Sequence, residues 1–159
     1  MGIDSKAGSM MVLGIDPGRD KIGWALVTSE GDLFSSGICL TSEQELFLTA
    51  FTRGSKWEDD LSPWVREKTS LRVSQPEELS VVAVGNGTGS REAIKLFGRL
   101  GVQIVVVDES GTTLEARELY WSLHVPSWRQ RCLPRVMWFP PRPLDDLAAW
   151  AIARRSLRV

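Results

Sequence analysis

With 159 residues, 43% of them hydrophobic and 25% charged, the chain has the make-up of one ordinary globular domain with a single core. No apolar run nears the ~18 residues that span a bilayer, Cys39 and Cys132 belong to no CxxC pair, and His124 is the only histidine. These features set aside a membrane protein, a zinc site and any two-histidine mechanism, while the net charge of −1 argues against indiscriminate coating of nucleic acid.

Residues 1–10 lack the apolar stretch of a signal peptide, and Lys6 stands where a myristoylation signal needs Ser or Thr. They read as a disordered leader to a single domain, residues 11–159, with reduced thiols in the cytoplasm. Val12–Asp16 reads as a buried strand that ends on a carboxylate and a Pro-Gly turn. Ile22–Thr28 follows, then the hairpin turn Ser29–Asp32 and the strand Leu33–Leu40. Ser42 and Glu45 have capping-box spacing and open a helix to about Arg53. Residues 54–79 are polar, without a clean period, and suit a variable helix and a loop. Ser80–Gly85 is again a strand, Ser90 caps a helix to about Leu100, and Val102–Val107 is the next strand. Thr112 and Glu115 form a second capping box for a helix to Leu123. A Pro- and Arg-rich passage runs from Val125 to Pro143, and a last helix from Leu144 to about Leu157. Three hairpin-linked strands feeding a βαβ unit imply an α/β fold, a mixed sheet with helices on its faces.

In such a sheet the strands ending at Asp16, Gly85 and Val107 have their carboxyl ends on one edge, where ligands bind. Asp16 lies there, with Asp108 and Glu109 just past the third of these strands. Asp145 and Asp146 fall in the first turn of the last helix. Gathered carboxylates repel by about 4 kcal/mol per pair at ~4 Å and an effective dielectric near 20, so a cation is expected among them. All-oxygen ligands select Mg²⁺ or Mn²⁺, the ions of phosphodiester hydrolysis. Each acid also has a structural reading, as a turn residue, a strand end or a helix N-terminus.

"GNGTGS" (Gly85–Ser90) can hold a phosphate on exposed N–H groups, although it is neither a Walker A loop nor a GxGxxG motif. From Ser110 onward the chain has eight arginines and no lysine against four acids. "SWRQR" (Ser127–Arg131), with Arg135 and Trp138, alternates aromatic and cationic groups, a pattern that suits stacked bases and phosphates. The alternative is that the tryptophans anchor this loop on the core.

Four pieces, "GIDPGRDKIGWALV", "VVAVGNGTGSREA", "VVDESGTTLEARELYW" and "PLDDLAAWAIA", resemble in content and order the YqgF/RuvC-like branch of the ribonuclease H-like superfamily. The resemblance implies a ribonuclease H-like fold with a five-stranded mixed sheet flanked by helices. It also implies a Mg²⁺- or Mn²⁺-dependent endonuclease acting on structured DNA or RNA, of the Holliday-junction-resolvase or precursor-rRNA-nuclease type. Asp16, Glu109 and Asp145 match the family's catalytic, metal-binding acids; Arg129, Arg131, Arg135 and Arg142 are the candidates for contacting nucleic acid. Cleavage of a symmetric junction would require a homodimer. The chain departs from resolvases at Gly85 and Asn86, where they carry a glutamate, and at Arg142, where they carry an aspartate. Asp146 is the candidate to stand in as a metal ligand, although adjacent helical residues diverge by about 100° and only one of Asp145 and Asp146 can point straight at the site. Two other readings remain: a catalytically silent nucleic-acid-binding domain, which "GNGT" resembles in Tex-type transcription factors, and an actin-like ATPase half-domain, which the length disfavours.

Overall fold

The computed structural model describes residues 10–52, 56–70 and 78–158. Three β-rich runs form the antiparallel meander β1 (Met10–Pro17), β2 (Lys21–Thr28) and β3 (Leu33–Leu40). A short strand, β4 (Val65–Lys68), pairs antiparallel with β3, while β5 (Glu78–Gly85) and β6 (Gln103–Val107) extend the sheet parallel to β1. The order is β4-β3-β2-β1-β5-β6. The sheet is therefore mixed, as expected, but has six strands rather than five. The sixth is β4, inside the segment expected to hold a helix and a loop; part of that segment lies outside the described residues. Met10 belongs to β1, so the leader expected over residues 1–10 is shortened, and its remainder also lies outside the described residues.

Alternation along the strands builds two apolar faces. Met11, Leu13, Ile15 and Trp24 face one side, covered by α1 (Gln44–Thr52), the short α2 (Trp57–Asp60) and α3 (Ser90–Phe97). Val12, Ala25, Val27 and Ala83 face the other, covered by α4 (Thr112–Leu123) and α6 (Asp145–Ser156), with the short α5 (Trp128–Arg131) between them in the chain. Helix α6 lies across β1 and β2, and every residue from Asp146 to Ala153 is buried. Small residues permit this approach. A Cβ on Gly14 would overlap the carbonyl oxygen of Ala149, and one on Gly23 would overlap that of Asp145.

The helix starts differ from expectation. Helix α1 is preceded by a 3-10 turn, Thr41–Glu43, without a side-chain cap. Gly89 and Gly111, at φ 83° and 78°, occupy the N-cap positions of α3 and α4 in place of Ser90 and a Thr112 box. Glycine reaches this left-handed region without strain, so backbone geometry sets these starts. No helix among the described residues is long and apolar enough to cross a membrane.

Candidate metal-binding acidic site

The carboxyl ends of β1, β5 and β6 lie level at one sheet edge, with Ile15 opposite Val84 and Gly85 opposite Val107. Asp16 shares the strand face of Val12 and Gly14, the face that carries α6. Its partner across the β1–β2 ladder is Gly23, and the backbone of Asp145 rests on Gly23. Thus one glycine brings the start of α6 over the end of β1.

Glu109 reaches the same face from the loop after β6. Its N–H donates to Asn86 Oδ1 (3.2 Å), and its carbonyl accepts from Thr112 N (3.1 Å) and Oγ1 (2.8 Å). The side chain folds back over the end of β5. A Cβ on Gly85 would lie 2.5 Å from Glu109 Oε2, and one on Gly87 would overlap Oε1. Oε2 is buried and has no hydrogen-bond partner.

The three acids share one electrostatic field. The Asp16 carboxyl is pushed up from 3.8 to about 7 by burial first, then by the charges of Glu109 and Asp145, with Lys21 pulling it partly back. Lys21 Nζ stands 3.0 Å from Asp145 Oδ2. Among the described residues no three acidic, histidine or cysteine side chains converge closely enough to ring one ion. The expectation that Asp16, Glu109 and Asp145 lie within metal-bridging distance is therefore not met in this arrangement. Asp145 is drawn to Lys21, and Glu109 lies back on the glycine turn.

Asp146 faces away from this group and is fully buried. Its Oδ1 accepts from Arg142 Nη1 at 2.8 Å, and its Oδ2 accepts from Ser36 Oγ at 2.7 Å and Arg142 Nη2 at 3.2 Å. Arg142 Nη2 also donates to Glu67 Oε1 at 2.7 Å, the atom that His124 Nε2 approaches at 2.7 Å. The result corrects two expectations: Asp146 is spent on an ion network rather than on metal, and the Arg142 guanidinium is spent on protein carboxylates rather than left free for phosphate. Asp108 turns outward and accepts from Ser110 N (2.9 Å) and Oγ (2.6 Å), which hold its carboxyl below its ordinary value.

A cleft of about 280 Å³ opens beside the acids, lined by Asp16, Asp145, Arg117, Phe139 and Arg142 among others. The Arg-rich passage forms its outer rim, and its two tryptophans divide the roles expected of them. Trp138 anchors the loop, packing 5.7 Å from Trp121 and donating to the Leu133 carbonyl at 3.1 Å. Trp128 is 71% exposed and carries the Arg129 guanidinium 5.4 Å from its ring. Arg131 is exposed at the end of α5; Arg135 pairs with Glu118 and lies over Trp138. Exposed Phe139, with Arg117 over its ring at 5.7 Å, links the rim to the cleft.

Lys21, Arg117, Ser36 and Glu67 were not singled out from the sequence, and His124 was noted only as the one histidine. Lys21 had a signal, as the only cation opening the strand opposite Asp16. Glu67 had none, since it lies on β4.

No protein-family model matches the chain. Two uncharacterized proteins of Neisseria meningitidis, one from serogroup A and one from serogroup B, are 28% identical to it over 116 residues. The match covers 68% of this chain but 13% of the length of those relatives. Among solved structures, RuvC of T. thermophilus in complex with a Holliday junction substrate is 21% identical, covering 91% of this chain and 90% of that one, at a TM-score of 0.40. A ROK family glucokinase from Streptomyces griseus, solved with glucose and AMPPNP, is 16% identical over 67% of this chain and 36% of its own, at a TM-score of 0.37. Likenesses of this size assign no site residue.

Proposed function

We propose that the protein is a divalent-metal-dependent nuclease of the YqgF/RuvC-like, ribonuclease H-like type, hydrolysing phosphodiester bonds in structured DNA or RNA. The observation that carries this reading is the burial of Asp16 beside Glu109 and Asp145 at the carboxyl edge of the sheet, a concentration of negative charge that costs stability and so calls for a function. The orphaned Glu109 Oε2 fits a cation ligand, and three oxygen-bearing side chains fit Mg²⁺ or Mn²⁺. Asp16, Glu109 and Asp145 would hold the ion, with Asp145 exchanging its Lys21 contact for it. When bound, such an ion supplies the positive charge that polarises a phosphodiester and acidifies a water. Lys21 and Arg117 offset the acids so that a polyanion can approach. The Val125–Pro143 passage contains four arginines and no acid, and exposes the rings of Trp128 and Phe139 to bases.

A cleavage screen over four-way junctions, duplexes and precursor RNA, with Mg²⁺ and Mn²⁺, tests the activity. Cutting that disappears in Asp16→Asn is expected; no cutting of any substrate together with no saturable Mn²⁺ binding would refute it. The second reading, a silent nucleic-acid-binding domain, is favoured by the Lys21–Asp145 ion pair, which neutralises one acid without metal. Nucleic-acid binding indifferent to Mn²⁺ would select it.

A further inference from the structure

The glycine-rich turn after β5 has a role that a phosphate-binding reading does not cover. Two of its N–H groups are already used within the protein: Asn86 N donates to the Val107 carbonyl (3.0 Å), and Ser90 N to that of Gly87 (3.2 Å). The space beside it is filled by a carboxylate, which would repel phosphate. The three atoms nearest to a Cβ on Gly87 all belong to Glu109: Oε1, Cδ and Oε2. A Cβ on Gly85 would lie 2.5 Å from Glu109 Oε2 and 2.8 Å from Ile152 Cδ1. Asn86 between them fixes the Glu109 backbone through its Oδ1.

We propose that Gly85-Asn86-Gly87 is a receptacle for the Glu109 side chain, and that Gly87 is a positioning residue for the metal site. The end of β5 contributes no acid of its own. Its two missing side chains let the carboxylate from the end of β6 lie across β5 toward Asp16, and the Asn86 amide holds the loop that delivers it. The inference about metal rests on the proposed nuclease reading; the receptacle itself does not.

Gly87 is not among the glycines with positive φ, so alanine is conformationally acceptable there, and the three atoms that its Cβ would meet first all belong to Glu109. Without metal, Gly87→Ala should lower the melting temperature, and adding Glu109→Ala should restore it by removing the clashing carboxylate. An equal loss with and without Glu109 would mean that the turn needs glycine for its own sake, and would overturn the receptacle. With Mn²⁺ alone as probe, read by electron paramagnetic resonance, Gly87→Ala should weaken binding about 10–100-fold, the usual effect of losing a ligand's support. Glu109→Asp should weaken binding in the wild-type turn but strengthen it in the Gly87→Ala background, where the shorter acid escapes the clash. The same direction of change in both backgrounds would refute the positioning role. If the wild type binds no Mn²⁺, the nuclease reading and the metal role fail together, while the melting cycle still decides the receptacle.

Discussion

Replacing Asp16 by Asn separates a site acid from a structural one, because the two roles predict opposite signs. In the folded protein the Asp16 carboxyl keeps its proton up to about pH 7, whereas in the unfolded chain it is released near 3.8. Between those values the folded state binds the extra proton. The stability contribution is therefore complete below 3.8 and is lost as pH rises through about 7. At about 1.4 kcal/mol per pH unit, holding the charged form above pH 7 costs at most about 4 kcal/mol. Asn is nearly isosteric and uncharged, so Asp16→Asn removes that cost. For a domain of this size each kcal/mol moves the melting temperature by roughly 2–4 °C, which puts the upper limit of the gain at roughly 8–16 °C. Differential scanning calorimetry in chelator should show the variant melting several degrees above the wild type at pH 8, with the gap closing toward pH 4. Mn²⁺ at a hundred times its dissociation constant should then raise the wild type alone by about 2.7 kcal/mol. A variant that melts below the wild type at pH 8, or a gap independent of pH, would refute the account and make Asp16 a turn residue.

Lys21→Met removes the cation that pulls Asp16 down, so the Asp16 carboxyl should titrate above about 7 by carbon-detected NMR; an unmoved titration would mean that Lys21 serves Asp145 alone. Arg142→Met strands the buried Asp146 charge and should cost about 3–5 kcal/mol in urea unfolding, much of it recovered by adding Asp146→Asn. A loss below 1 kcal/mol would show that water reaches the network. Arg129→Ala with Arg131→Ala should flatten the slope of log affinity against log salt on duplex DNA by about two units, measured with Ca²⁺ to suppress cutting. Adding Arg135→Ala should change it less, because Glu118 already holds that guanidinium; an unaltered slope for the pair would move the nucleic-acid surface elsewhere.

The strands around Asp16 were legible because their apolar runs are long; that Asp16 shares the face that carries α6 follows from the two-residue alternation of the folded strand. Strand β4 was not, since "VREK" has one apolar residue and takes its place from pairing with Ser35, Ser36 and Gly37. The choice between Asp145 and Asp146 was open for a related reason. Helical spacing separates the two directions, but only the docking of α6 says which direction is inward. That docking depends on Gly14 and Gly23, and once it is set, Asp146 meets Ser36 and Arg142 while Asp145 is left at the sheet edge.

The same logic extends to the third acid. Gly85 and Gly87 were read as a nest for an external anion, which is the usual use of exposed N–H groups in a glycine turn. They accommodate an anion, but an internal one, and no local pattern distinguishes the two, because the carboxylate arrives from a strand some twenty residues downstream. On this face of the sheet, glycine serves by absence: at positions 14 and 23 it admits the helix that carries Asp145, and at 85 and 87 it admits the side chain of Glu109. Polar residues supply the chemistry of such a site, yet what lets them converge is a set of positions where no side chain stands. Substitution at positions 23, 85 and 87 should therefore disturb the acidic group more selectively than it disturbs the core, since the first contact of a new Cβ there is with Asp145 or Glu109, whereas at position 14 it is with the carbonyl of Ala149 in the buried helix.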